Sequence, residues 1–216
     1  MEITYLGHSS FKLRGKTVTV VTDPYDSEFV GLKFPKTQAD IVTVSHQHND
    51  HNFTSAVEGG PFIISEPGEY EIKGVSVFGY PSFHDEKSGE LRGKNIVYLI
   101  EIDGLKICHL GDLGGNLSGN IMEEIGTMDV LMVPVGGIVT LGLNETTEFI
   151  RQAEPKIVLP MHFKTEGLEK TFDELSSLND FLTKFGVDNP EKTDKLSVAK
   201  DKLPEETKVI LLERKN

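Results

Sequence analysis

The sequence predicts an α/β fold in which two β-sheets are covered by helices. Three observations lead there: short β-rich segments recur along the whole chain, helical patterns are interspersed in its second half, and glycine is abundant. The 21 glycines suit a fold with many tight turns between strands. With 38% hydrophobic and 26% charged residues, the composition is that of a globular protein. No repeat, low-complexity tract or dividing linker interrupts the chain, so residues 1–216 read as a single domain.

The elements follow in order. EITYL (2–6) is a strand, and FKLRG (11–15) with TVTVVTD (17–23) reads as two strands around a turn at Gly15 and Lys16. ADIVTVS (39–45) is an apolar run that ends directly at His46. PFIIS (61–65) and YEIKGVSVFGY (70–80) add short strands. NIVYLIEIDGLKICHLGD (95–112) is a hairpin about Asp103-Gly104, a favoured two-residue turn. NIMEEIG (120–126) predicts a short helix closed by Gly126, and DVLMVPVGG (129–137) a buried strand. NETTEFIRQAEP (144–155) predicts a helix with Asn144 as N-cap and Glu154-Pro155 as its stop. KIVLPMHF (156–163) is another buried strand. In FDELSSLNDFLTKFG (172–186), Phe172, Leu175, Leu178, Phe181, Leu182 and Phe185 recur at helical spacing and predict one core-packing helix. Residues 186–207, the most polar stretch, read as a mobile excursion before a last strand at 208–213.

The formal net charge of −12, without a dense Lys/Arg run, disfavours a nucleic-acid partner. Cys108 is the only cysteine, so no intrachain disulfide forms, and it reads as a small core residue. MEITYLGHSS lacks the basic-then-apolar pattern of a signal peptide, and no apolar run approaches a membrane span of about 20 residues. The expectation is a soluble, cytoplasmic protein.

Residues 46–51, HQHNDH, place three of the seven histidines and an aspartate in six positions. His46, His48, Asp50 and His51 are all first-row metal-ligand types, suited to Zn²⁺ and also to Mn or Fe. A chance match to this pattern is on the order of one in a thousand. They follow a buried strand at once, and a strand end is a rigid platform. Such a loop can serve two ions, with His46 and His48 turned to one and Asp50 and His51 to the other. Four ligands are too few for two ions, and further candidates stand at other strand ends: His8, His84, Asp112 and His162.

In this order, LGHSSF, VVTDP (20–24), HQHNDH, FHD (83–85), HLGD (109–112), VPVGG (133–137) and LPMHF (159–163) resemble the landmarks of the metallo-β-lactamase superfamily. Within it the chain is most similar to small hydrolases like L-ascorbate-6-phosphate lactonase. The resemblance implies a four-layer αββα sandwich of two mixed sheets flanked by helices, with a dinuclear zinc site at one edge (Mn²⁺ or Fe as alternatives). It assigns His46, His48 and His84 to the first ion, Asp50, His51 and His162 to the second, and Asp112 to a bridging position. Asp23 would brace the histidine loop. His8 matches a GH pair common in this subgroup and is expected to line or support the pocket rather than ligate. His109, inside a strand, is expected to be a hydrogen-bonded core or supporting histidine. Relatives are often multimeric, so a homo-oligomer is implied as well.

Paired cations lower the pKa of a shared water, and the bridging hydroxide then attacks a carbonyl or phosphorus. Asp50 is the expected catalytic residue, orienting the nucleophile and accepting its proton. The substrates implied are a small lactone, ester or phosphodiester, with thioester and amide in the same chemical range. Lys164 and the helix start after the glycine-rich loop 136–145 are candidates for binding an anionic substrate. Residues 26–38 and 137–144 are the expected rims. Three competing readings have sequence arguments against them. Di-iron redox relatives carry Glu at the second motif position, where this chain has His48, although single-iron sulfur dioxygenases retain histidines. RNA- or DNA-processing nucleases add a gripping arm or inserted domain without counterpart here. A non-catalytic metal-binding module loses ligands, whereas all seven expected ones are present.

Overall fold

The computed structural model describes residues 1–215. Its elements in chain order are β1 (Glu2–Gly7), β2 (Ser10–Arg14), β3 (Thr19–Thr22), α1 (Ser27–Val30), β4 (Thr37–Gln38), β5 (Ile41–Thr43), β6 (Val57–Glu58), β7 (Phe62–Ile64), β8 (Gly68–Ile72), β9 (Val75–Phe83), β10 (Lys94–Ile102) and β11 (Leu105–His109). There follow α2 (Gly119–Ile125), β12 (Val130–Pro134), α3 (Leu143–Ala153), β13 (Ile157–Met161), α4 (Leu178–Phe185), β14 (Glu191–Thr193), β15 (Leu196–Ser197) and β16 (Lys208–Leu212).

Two mixed sheets result. One has the order β15-β1-β2-β3-β5-β7, the other β14-β16-β13-β12-β11-β10-β9-β8, and β4 pairs separately with β6. Period-two alternation explains how they stack. Ile3, Val20, Ile41, Tyr98, Ile107, Met132 and Leu159 face one another between the sheets. Their strand neighbours point outward: Leu99, Leu131 and Val133 meet Ile125, Phe149, Ile150 and Phe181 of α2, α3 and α4. Val21, Val42 and Val44 are covered instead by Tyr25, Val30, Leu32, Phe34 and Phe172. The helical layer over the smaller sheet is thus reduced to α1 and flanking loops. Strands buried on both faces are nearly all apolar, as β12 and β13 are.

Most predicted strands and the Asp103-Gly104 turn, with φ of 53° and 78°, lie where the pattern placed them. Three expectations are corrected. Gly142, not Asn144, is the N-cap of α3; Glu145 folds its carboxylate back against Gly142, so the helix starts earlier. The stretch 172–186 is not one helix. Ser177 and Asp180 form a capping box that starts α4 afresh, while Phe172 and Leu175 leave the stripe to pack over the smaller sheet. Residues 186–207 are not an excursion: β14 adds to β16 in one sheet and β15 to β1 in the other.

The topology sets the site. His8, Asp23, residues 46–51, His84, Asp112 and His162 lie within a few residues of the C-terminal ends of β1, β3, β5, β9, β11 and β13. His8, Asp23 and His162 leave their strands with φ of 52°, 38° and 50°. This left-handed region is unfavourable for non-glycine residues by roughly 1–2 kcal/mol each and is typical of functional loops.

Candidate metal centre

Three groups of ligand-type atoms converge at that edge. His8, Asp50, His51 and His162 form one, His46, His48 and His84 a second, and His46, His51 and Asp112 a third. Within each, the nearest ligand atoms lie inside 4.8 Å of one another. Asp112 is central: its Oδ2 stands 3.4 Å from His51 Nε2, 3.3 Å from His84 Nε2 and 3.2 Å from His162 Nε2. All of these residues are buried except His48, which faces the opening.

The local scaffold explains the ring orientations. Asp23 accepts hydrogen bonds from the Ser45 N–H (2.8 Å) and the Ser45 hydroxyl (2.5 Å), and its Oδ2 lies 2.7 Å from His51 Nδ1. With Nδ1 held there, His51 turns Nε2 toward Asp50 and Asp112. Ser45 Oγ also lies 3.0 Å from His46 Nδ1. The His162 N–H donates to the His8 carbonyl at 2.9 Å, tying the ends of β13 and β1 together.

The unpaired polar atoms of the cluster bear on whether a metal fits. Nδ1 of His8, Nε2 of His46, Nε2 of His51, Nδ1 of His84, Oδ1 of Asp112 and Nδ1 of His162 are buried without a hydrogen-bond partner among the described residues. An unsatisfied buried polar group costs about 1–3 kcal/mol. Three of these atoms, Nε2 of His46, Nε2 of His51 and Oδ1 of Asp112, belong to the residues of one donor group, and such a set of imidazoles and a carboxylate matches a first-row divalent cation.

The same burial shifts the titrations. Desolvation lowers His46 to about 2 and His8 to about 4, and lowers His84 and His109 as well. His51 goes the other way: burial opposes its charge, but Asp112 and Asp50 win and raise it well above the usual histidine value. Burial opposes charge on Asp112, yet His162 and His51 hold its carboxyl well below the usual range. Asp50 behaves alike through His51 and His8.

A pH dependence follows. An unfolded imidazole protonates near pH 6.5. Buried His8, His46, His84 and His109 resist that proton, so below about pH 6.5 the unfolded chain binds more protons and stability falls. His51, raised, contributes fully below about pH 6.5 and loses its contribution as pH rises through its elevated value. The depressed carboxylates act lower still, losing theirs as pH falls below about 4. Chelator-treated protein should therefore lose melting temperature steadily from pH 6.5 to 5. A calorimetric series flat across that window contradicts this.

Other expected residues fall differently. His109 is saturated: its Nε2 donates to the Ser9 carbonyl at 2.8 Å and its Nδ1 accepts the Gly111 N–H at 3.1 Å. It belongs to none of the three groups. His8, expected only to line or support, stands inside a donor group, with Nε2 3.1 Å from Asp50 Oδ2. Lys164 is turned away: its ammonium donates to the Asp173 carbonyl at 2.6 Å and lies 3.5 Å from the Asp173 carboxylate. The start of α3 is no free anion site either, because Glu145 lies against its N-cap. Cys108, raised to about 12 by burial, is an inert core thiol.

A cavity of about 410 Å³ opens over the cluster. Phe29 of α1 and Ile138 with Val139 line it, from the two expected rims. Phe172 and Leu175 line it too, which the helical stripe concealed; the Phe172 ring stands edge-on to His8 at a centroid distance of 5.0 Å. Arg92, on the loop after His84, was also missed, since a lone arginine in a polar loop carries no signal of its own.

Close backbone approach fixes two strand ends. A Cβ on Gly136 would collide with the His162 carbonyl oxygen, and one on Gly114 with the backbone of His84 and Asp85. Gly136→Ala should cost about 1–3 kcal/mol, as overpacking does. It should also weaken metal binding through His162. Denaturant melts paired with a metal titration check this, and an unchanged pair of values refutes it.

Comparison with known proteins agrees with the geometry. Residues 2–162 match the family model described as a beta-lactamase superfamily domain. The chain is 28% identical over 192 residues to a UPF0173 metal-dependent hydrolase of Thermococcus onnurineus, covering 76% of this chain and 85% of the relative. It is 29% identical over 198 residues to one from Pelotomaculum thermopropionicum, with the same coverage. A Thermotoga maritima crystal structure, described as a candidate Zn-dependent hydrolase of the metallo-β-lactamase superfamily, is 40% identical over 99% of both chains with a TM-score of 0.81. The metallo hydrolase Igni18 of Ignicoccus hospitalis shares the fold at 21% identity and a TM-score of 0.65. With its His/Asp metal-binding cluster at the edge of two stacked sheets, this chain belongs to the metallo-β-lactamase superfamily as a metal-dependent hydrolase.

Proposed function

We propose that the chain is a two-cation hydrolase of a small lactone, ester or phosphodiester, with zinc as its native metal. His46, His48 and His84 would hold one ion. Asp50, His51 and His162, with His8 in reach, would hold the other, and Asp112 would serve both. The observation that carries this is the position of Asp112 Oδ2, between rings of both groups at 3.2–3.4 Å. Bound there, the cations supply Lewis acidity, which makes water a nucleophile near neutral pH and offsets charge on the attacked group.

The chain's own residues do the rest. Asp50, held ionised by His51 and His8, orients the attacking water and takes its proton. His8 Nε2 fixes the Asp50 carboxylate from behind. Asp23 sets the His51 tautomer. The wall of Phe29, Ile138 and Phe172 sheds water from the bound substrate. On this reading residues 1–216 act as one cytoplasmic, lactonase-like domain, assembled as a homo-oligomer, on a small-molecule substrate. No helix of the described residues is long and apolar enough to cross a membrane.

The test is metal analysis with a hydrolase screen. Zn²⁺- and Mn²⁺-loaded protein should bind two ions per chain and turn over at least one class among lactones, esters, phosphodiesters and thioesters. Two-ion protein inactive across the screen, or one-ion protein, overturns the proposal. A visible absorption band in the purified protein would instead point to iron.

A further inference from the structure

The loop between β9 and β10 follows His84 directly, and its backbone is organised around one carboxylate. Asp85 accepts the N–H groups of Lys87 (2.8 Å), Gly89 (3.0 Å), Leu91 (3.0 Å) and Arg92 (2.8 Å). The His84 N–H donates to the Gly93 carbonyl at 3.0 Å and closes the loop at its base. Gly114 packs against the same backbone too closely for any side chain. These bonds fix the backbone of an exposed polar loop, and with it the point from which the Arg92 side chain departs.

One of these is Arg92. It lines the cavity over the cluster and also a second cavity of about 520 Å³ on the other side of His48. Gln47, His48 and Arg92 are common to both cavities. Lys94 lines the second one beside His46. Arg92 has no carboxylate within 4.0 Å among the described residues, although the chain carries 34 acidic residues against 22 basic ones. Glu174 lines the first cavity but makes no ion pair with it. A guanidinium offers a planar fork of donors matched to a carboxylate or phosphate, and that of Arg92 stands where the two cavities meet with no carboxylate of the described residues engaging it.

We propose that Arg92 is a specificity residue that binds an anionic group of the substrate at the junction of the two cavities, with Lys94 as a second cation beyond it. The scissile bond then lies over the metal cluster, one cavity away from the anion. This rests on the hydrolase reading for the position of the scissile bond, but not for the anion site itself. It also transfers the anion-binding role from Lys164, which Asp173 occupies, to a residue that faces the cleft.

Two measurements on metal-loaded protein test it. The first compares kcat/KM for mono-4-nitrophenyl adipate and 4-nitrophenyl hexanoate, which share a leaving group and chain length and differ by a carboxylate in place of a methyl group. Arg92→Gln should lower the anionic-to-neutral ratio at least tenfold, and Arg92→Lys should lower it less. The second is calorimetric binding of succinate and of 3-phosphonopropionate. Arg92→Gln should weaken each at least tenfold, and the larger loss identifies carboxylate or phosphate as the preferred anion. If neither ester is cleaved and binding still depends on Arg92, the anion site stands while the ester-hydrolase reading fails. A ratio and affinities that stay within twofold of wild type in Arg92→Gln overturn the proposal.

Discussion

Asp50→Ala should abolish turnover, with a loss in kcat/KM on the order of 10³-fold or more, as removal of a general base that also positions the nucleophile does. The loss should come without unfolding. Asp50 is buried within the cluster, and its carboxylate contacts other members of the site: His8 at 3.1 Å, His51 at 3.6 Å and His162 at 3.9 Å. Compared after chelation, the variant should melt within a few degrees of wild type. Metal analysis should show it holding fewer ions, since one donor group has lost its only carboxylate. Asp50→Asn keeps the shape and separates charge from volume. Activity equal to wild type in either variant would remove Asp50 from the mechanism.

Asp23→Ala should be the most destabilising of the substitutions considered. The carboxylate is wholly buried, and its partners are the Ser45 N–H, the Ser45 hydroxyl and His51 Nδ1. Burial disfavours its charge, but His109, His51 and Ser45 outweigh that and hold it below the usual carboxylate range. Removing it leaves a backbone donor and an imidazole without an acceptor in the interior, a class of change that costs about 3–5 kcal/mol. For a chain of this size that is a fall of roughly 6–20 °C in melting temperature. The ring of His51 loses its set orientation as well, so metal affinity should fall about 10–100-fold. Chelated melts read the first effect, and competition with a chromophoric chelator reads the second. A fall below about 3 °C with unchanged affinity would show that Asp23 does not brace the loop.

Much of the architecture was legible because its causes are local. Alternation in 95–112 and the Asp-Gly pair at 103–104 define a hairpin whatever surrounds it. The spacing in HQHNDH marks ligand chemistry within six residues. The failures share the opposite cause. Phe172 and Leu175 have helical spacing, but a capping box at Ser177 and a second hydrophobic face compete for them, and the contacts with that face are long-range. Residues 186–207 carry little apolar signal because their strands join sheet edges, where backbone pairing with β16 and β1 is enough.

By itself, the sequence determined the donor types, the strand ends that carry them and hence the class of chemistry, since residue identity and short-range spacing settle those. Only the tertiary structure decided that Asp112 stands among three imidazoles, that His8 joins the donors while His109 is spent on Ser9, and that Arg92 rather than Lys164 faces the cleft. Each depends on which distant backbone a side chain meets after two sheets stack. That is fixed by strand order and burial across the whole chain, not by any window of it.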